Sequence, residues 1–161
     1  MMLYISGALH SSSNLNEARK LYETTAKLVE QKGASFFLPH KQNDPVRAAK
    51  VSSEEVFTRD FSAIQESSAL VAFLNEASHG VGAEVALCLE WGKPILPLLE
   101  ASRTCSRFLE GLLRSRSFEI VRYQNTEDIS RTLDCFIRSQ QSRILNEECA
   151  DPLPYGNFGD Y

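Results

Sequence analysis

Residues 77–91, Ala-Ser-His-Gly-Val-Gly-Ala-Glu-Val-Ala-Leu-Cys-Leu-Glu-Trp, join a hydroxyl, two glycines and an acid to a helix-like run. Read as a helix with Glu84 in its opening turn, the run sets Glu84, Leu87, Cys88 and Trp91 at i, i+3, i+4 and i+7, on one face. Three of the four belong in a core, so the acid among them has one of two jobs. It complements the positive end of the helix dipole as a cap, or it reacts. In the second case the dipole keeps the carboxylate ionised, as a nucleophile requires, and the apolar face keeps water away. Taken alone the stretch favours the cap. Its position, after a Gly-x-Gly loop at the end of an apolar strand, favours the reaction.

A second acid stands in residues 53–67, another helix-like segment. Val56, Phe57, Ile64 and Ser67 form an inward stripe and Asp60 falls within it. A buried carboxylate needs partners, so Asp60 either sits at the stripe's edge bonded to a loop or faces Glu84 across a cleft. Two carboxylates in one pocket suit glycosidic chemistry, one attacking while the other orients substrate or handles a proton. The loop Gly7-Ala8-Leu9-His10-Ser11-Ser12-Ser13 follows a strand and carries four polar side chains. It is neither a dinucleotide fingerprint nor a P-loop, and it reads as a plain turn or as a phosphate loop. Ser78 adds a hydroxyl at the same sheet end. His40, just past the second strand, is open to three readings: a base, a ribose contact or a surface residue. A nucleotide-sized ligand, with acids at its sugar and hydroxyls near a phosphate, fits these parts.

Such groups meet only if the elements bring them together. The chain of 161 residues suits a single domain. Apolar strands are expected at residues 3–6, 35–39, 70–74, 95–99 and 118–121. Helices are expected from Asn14, which with Glu17 has the capping-box spacing, to Gly33, and at 53–67, from near Gly82 to Lys93-Pro94, at 106–114 and at 126–145. Residues 41–51 read as a polar loop. Strands without polar alternation, separated by helices, mean a parallel sheet covered on both faces. The expected fold is thus a doubly wound five-stranded α/β sheet of flavodoxin or Rossmann type. Ligands bind such sheets outside the carboxyl ends of the strands, which selects the loops at 7–13, 40–51 and 75–82. Residues 1–148 are expected to form one nucleotide-binding catalytic domain, with 149–161 an irregular tail.

Composition narrows the function. A net charge of −4 speaks against nucleic acid or an anionic membrane as partner. No apolar run reaches transmembrane length, and the start lacks the basic and apolar regions of a secretory signal. The four cysteines, Cys88, Cys105, Cys135 and Cys149, are widely spread, and they read as reduced thiols in a cytoplasmic protein. The three histidines, His10, His40 and His79, do not pair with cysteine at zinc spacing. Neither a metal nor a cofactor is expected.

In combination these residues resemble the nucleoside 2-deoxyribosyltransferase superfamily, and most closely its 2'-deoxynucleoside 5'-phosphate N-hydrolase branch. The likeness runs over most of residues 3–123. It rests on Tyr4-Ile5-Ser6-Gly7 for the family's Tyr-x-x-Gly, and on Asp60 in the second helix. It rests also on Ser78-His79-Gly80-Val81-Gly82-Ala83-Glu84 for Ser-x-Gly-x-Gly-x-Glu, and on Gly92-Lys93-Pro94 before a strand. The resemblance implies that Glu84 attacks the anomeric carbon to form a covalent glycosyl-enzyme. Asp60 would position substrate and assist proton transfer, and the Tyr4 hydroxyl would hold and tune Glu84. Ser78 would contact a 5'-phosphate, joined by Ser106 from the neighbouring subunit of a homodimer. Apart from the resemblance, Gly7, Leu9, His10, His40, Gly80 and Gly82 are the further candidates to line the substrate, from their places in the strand-end loops; the segment from His40 to Glu55 has no counterpart in the family pattern. The first loop departs from the branch's Ser-Ile-Arg-Gly: Ala8-Leu9-His10-Ser11 stands there, so His10 and the serines would take the place of the arginine.

Overall fold

The computed structural model describes residues 1–9, 14–43 and 50–148, without the side chains of 42–43 and 144–148. His10, the serines that follow it and the tail at 149–161 lie outside the described residues. The apolar run near the start forms β1 (Met2–Ser6), and the stripe after Asn14 forms α1 (Leu15–Gln31), with the Asn14 side chain accepting from the Glu17 N–H. There follow β2 (Ser35–Phe37), a single-turn α2 (His40–Asn43), α3 (Ser53–Glu66), β3 (Ala69–Phe73), α4 (His79–Glu90) and β4 (Ile95–Glu100). The described chain ends with α5 (Arg107–Ser115), β5 (Val121–Tyr123) and α6 (Thr126–Glu148).

The five strands are parallel and ordered β2-β1-β3-β4-β5, the flavodoxin-like α/β arrangement. Alternate residues of each strand feed opposite faces. Leu3, Ile5, Val71, Phe73, Leu96 and Leu98 meet Tyr22 and Val29 of α1 and Ile129, Leu133 and Ile137 of α6. On the other face Tyr4, Leu70, Ala72, Ile95 and Leu99 meet Ala63 and Ile64 of α3, Val81, Val85 and Cys88 of α4, and Leu113 of α5. From β1 the chain goes outward to β2, then returns across β1 to β3. The reversal opens a crevice at the carboxyl ends of β1 and β3, where open α/β sheets bind ligands.

Four local expectations are corrected. α4 begins at His79, not near Gly82, because the Ser78 hydroxyl caps it by accepting from the Val81 N–H. α3 is capped by Ser52, which forms a full capping box with Glu55, and its Phe57 is 63% exposed instead of facing inward. His40 opens a short helix where a loop was expected. The last strand is β5 at 121–123, because a positive φ at Ser117 and a Phe118 N–H bond to the Leu113 carbonyl hold the preceding residues in a turn off α5. Phe118 and Ile120 still pack on the core, which is why they look like strand.

Candidate active site

The earlier start of α4 changes the status of Glu84. It is the sixth residue of the helix and lies in the second turn, and the first turn holds no acid. The dipole's effect falls off within the first turn, so a capping role does not describe it. Two hydroxyls from β1 meet it instead. Tyr4 and Ser6 are two residues apart on the strand, so both point to the face that α3 and α4 cover. Tyr4 Oη donates to Glu84 Oε1 at 2.7 Å, and Ser6 Oγ donates to Glu84 Oε2. Both donors are fully buried, whereas the Glu84 residue is partly exposed. Both carboxylate oxygens are therefore held from one side, by a strand that is itself fixed between β2 and β3.

The electrostatics are opposed. Burial pushes the Glu84 carboxyl above the usual Glu range, the Ser6 and then the Tyr4 hydroxyl bonds pull it down, and the Asp60 charge raises it again. Asp60 is partly exposed on α3, and its charge reaches Tyr4 as well as Glu84. Burial, then the Glu84 and Asp60 charges, lift the Tyr4 phenol far above its ordinary value. It remains a neutral donor at any working pH. The Cys88 thiol, one turn beyond Glu84, is pushed up to about 12 chiefly by burial, so it is no competing nucleophile.

Around this group the remaining candidates separate. Ser78 sits at the α4 N-terminus, a turn and a half before Glu84, with Gly80 and Gly82 between them; a side chain at Gly82 would meet nothing within 4 Å, so the backbone there is open to approach. Gly7 has a steric reason to be glycine: a Cβ there would lie 2.1 Å from Tyr22 Cζ. Tyr22 donates to the Ala8 carbonyl at 3.2 Å and so braces the first loop from the α1 side. Leu9 packs against that same core. His40 is buried there too, 3.3 Å from a Glu23 carboxylate oxygen and 6.1 Å between ring centroids from Tyr22. It stands behind the loop, on the α1 side of the sheet. Ser106 is exposed and caps α5, accepting from the Leu109 N–H at 3.5 Å. The structure thus links Tyr4 and Glu84 by a hydrogen bond with Asp60 in Coulomb range, and sets Ser78, Gly80 and Gly82 at the start of the helix that carries Glu84. Ser6 was missed by the sequence reading; its i+2 spacing from Tyr4 is the signal that places both on one face.

A surface concavity of about 700 Å³ between α5 and the β5 edge has the volume for a nucleotide but none of these groups. Of its arginines, Arg114 pairs with Glu110 and Arg122 donates to the Ala101 and Arg103 carbonyls. Among the described residues no helix is long and apolar enough to cross a membrane.

The fold and site thus define a flavodoxin-like α/β protein with a strand-bound carboxylate and a second acid in Coulomb range of it. Comparison with known proteins gives the family. The nucleoside 2-deoxyribosyltransferase model matches residues 3–142, and the chain belongs to that family of N-glycosidases and deoxyribosyltransferases acting on nucleosides and nucleotides. A Thermofilum pendens protein named "Putative 2'-deoxynucleoside 5'-phosphate N-hydrolase 1" is 28% identical over 141 residues, covering 85% of this chain and 95% of the relative. The fold is shared with a CMP N-glycosidase from Clostridium botulinum, at 20% identity and TM-score 0.63, over 84% of this chain and 99% of that one. It is also shared with a 2-deoxyribosyltransferase from Bacillus psychrosaccharolyticus, at 16% identity and TM-score 0.58, over 83% and 96%.

Proposed function

We propose that this enzyme is a retaining N-glycosidase that cleaves the base–sugar bond of 2'-deoxynucleoside 5'-monophosphates. The observation that carries the reading is the Glu84 carboxylate, held at both oxygens by β1 hydroxyls beside Asp60 at the sheet's switch point. A Glu84 oxygen attacks C1' of the sugar as the C1'–N bond breaks and the electron pair leaves with the base. Asp60 orients the sugar and assists proton transfer to the departing base. Water then attacks C1' and passes its proton to the Asp60 carboxylate that protonated the base, while the electron pair of the breaking ester bond returns to the Glu84 carboxylate. The products are free base and deoxyribose 5-phosphate.

The monophosphate preference draws on the Ser78 hydroxyl at the N-terminus of α4, where helix amides favour anions, and on the relationship to the T. pendens protein. A homodimer with a shared site fits the exposed Ser106 and its neighbour Phe108, 80% exposed: Ser106 of one subunit would meet the phosphate held by the other. Residues 1–148 would act as one catalytic domain. The free thiols of Cys88, Cys105 and Cys135 suit a reducing, cytoplasmic setting.

The test is a panel of nucleotides and nucleosides, in ribo and deoxy forms, assayed for free base with and without a second base. Base release from deoxynucleoside monophosphates in water, abolished by Glu84→Gln with the fold retained, is expected. Full activity of Glu84→Gln refutes the mechanism. Product formed only as an exchanged nucleoside assigns the chain to base transfer, and turnover confined to ribonucleotides assigns it to the ribose substrate.

A further inference from the structure

We infer that Ser6 is a positioning residue for the reaction, its hydroxyl holding Glu84 Oε2 while Tyr4 holds Oε1, so that β1 grips the nucleophile by both oxygens. The inference rests on the reading of Glu84 as nucleophile and adds to it a second, separately placed donor. Ser6 is fully buried at the carboxyl end of a central strand, paired in register with Ala72 of β3. The helices and strands on that face build a hydrophobic cluster to which Tyr4, Ala72, Val81 and Val85 belong. A buried hydroxyl is costly without a partner, and the partner found here is the Glu84 carboxylate, 78 residues away in sequence.

The chemistry gives each donor a task. One carboxylate donor leaves the group free to turn about the remaining bond; two donors from one rigid strand fix its plane. Attack converts one oxygen to the ester oxygen and the other to the ester carbonyl. When water attacks C1' the ester C–O bond breaks, the electron pair returns to Glu84, and the negative charge develops on oxygens that already face two hydroxyl protons. Stabilisation of charge that forms in the transition state by donors already in place is the larger catalytic term in such sites. Ser6 therefore acts most strongly when the glycosyl-enzyme breaks down.

The groups that face Glu84 are Tyr4 and Ser6 from β1, Asp60 from α3 and Cys88 from its own helix. Removal of the Ser6 hydroxyl takes away a bond that favours the ionised form, so the acid limb of the pH–rate profile moves to higher pH.

The experiment compares the full-length enzyme with Ser6→Ala and Ser6→Cys on the deoxynucleotide that the panel identifies. Ser6→Ala is expected to lower kcat by about ten- to a hundredfold, the worth of one hydrogen bond to a charged group. KM falls along with kcat because the glycosyl-enzyme accumulates, the acid limb of kcat/KM shifts upward, and more glycosyl-enzyme is trapped on acid quench, read by intact mass. Ser6→Cys, close in size and a weaker donor, is expected to fall between the two and keeps the test open if the alanine variant does not fold. Parental kcat and acid limb in a folded Ser6→Ala or Ser6→Cys variant overturn the inference, even with Glu84→Gln inactive. Activity retained in Glu84→Gln would instead overturn the reading beneath it.

Discussion

Substitution of Tyr4 by Phe removes one oxygen atom from the site and little else. The ring is fully buried and stacks on Phe37 with centroids 5.4 Å apart and planes 18° from parallel, contacts that phenylalanine retains. What is lost is the 2.7 Å hydrogen bond to Glu84 Oε1. A hydrogen bond to a charged group is worth about 1.5–3 kcal/mol. At about 1.36 kcal/mol per factor of ten in rate, kcat should fall by roughly tenfold to somewhat over a hundredfold. The loss has a pH signature. The Tyr4 phenol is held far above its ordinary value, so it contributes no alkaline limb of its own. Its bond pulls the Glu84 carboxyl down. Activity requires the ionised carboxylate, so the acid limb of Tyr4→Phe moves to higher pH and the deficit deepens as pH falls. The assay is base release by chromatography across the acid-to-neutral range, with thermal unfolding as the check on folding. A folded Tyr4→Phe enzyme with the parent's kcat and an unmoved acid limb would refute the assignment of Tyr4 as the donor that tunes the nucleophile.

Glu84→Gln should be more stable than the parent at neutral pH, by about 0.5–2 kcal/mol, because its amide can still meet both hydroxyls without a desolvated charge. The carboxyl of Glu84 is raised in the folded chain. Its protonated form therefore favours folding, and that contribution is lost as pH rises through the raised value. The Tm advantage of the variant should accordingly vanish below the ordinary Glu range. Gly7→Ala drives a methyl group into Tyr22 and should cost about 1–3 kcal/mol, at roughly 2–4 °C of Tm per kcal/mol in a chain of this size; an unchanged Tm would show that the loop moves freely. Ser78→Ala should raise KM for the monophosphate by about tenfold or more and leave KM for the free nucleoside unchanged, with about 1 kcal/mol of stability lost from the α4 cap. Equal effects on both substrates would count against a phosphate contact.

How far the sequence reached depends on the range of the forces involved. The first four strands, the Asn14 cap and the stop at Gly92-Lys93-Pro94 follow from residues within a few positions of one another, and the sequence alone placed them close to where they lie. So did the alternation of apolar strands with helices, which fixes a parallel sheet because no other arrangement covers both faces of such strands. Glu84 and Asp60 were legible as candidates, through their places on helix faces and the rule that ligands gather at carboxyl ends, whereas Tyr4 entered only through the family resemblance. The helix boundary at Ser78 was less so: Gly80 and Gly82 look like loop, and only the side-chain cap shows that helix has begun. With it went the reading of Glu84 as a first-turn acid.

Tertiary structure alone decided what surrounds Glu84. Ser6 and Glu84 meet only because β1 pairs with β3 and α4 crosses back over that pair. His40 is likewise drawn to Glu23 and Tyr22 by the return of the chain from β2 toward α1. Local propensity sets the elements because backbone preferences and caps act over a turn or a strand. The electrostatics of the carboxylate come from groups 24 to 80 residues away, brought within hydrogen-bonding or Coulomb range by the sheet.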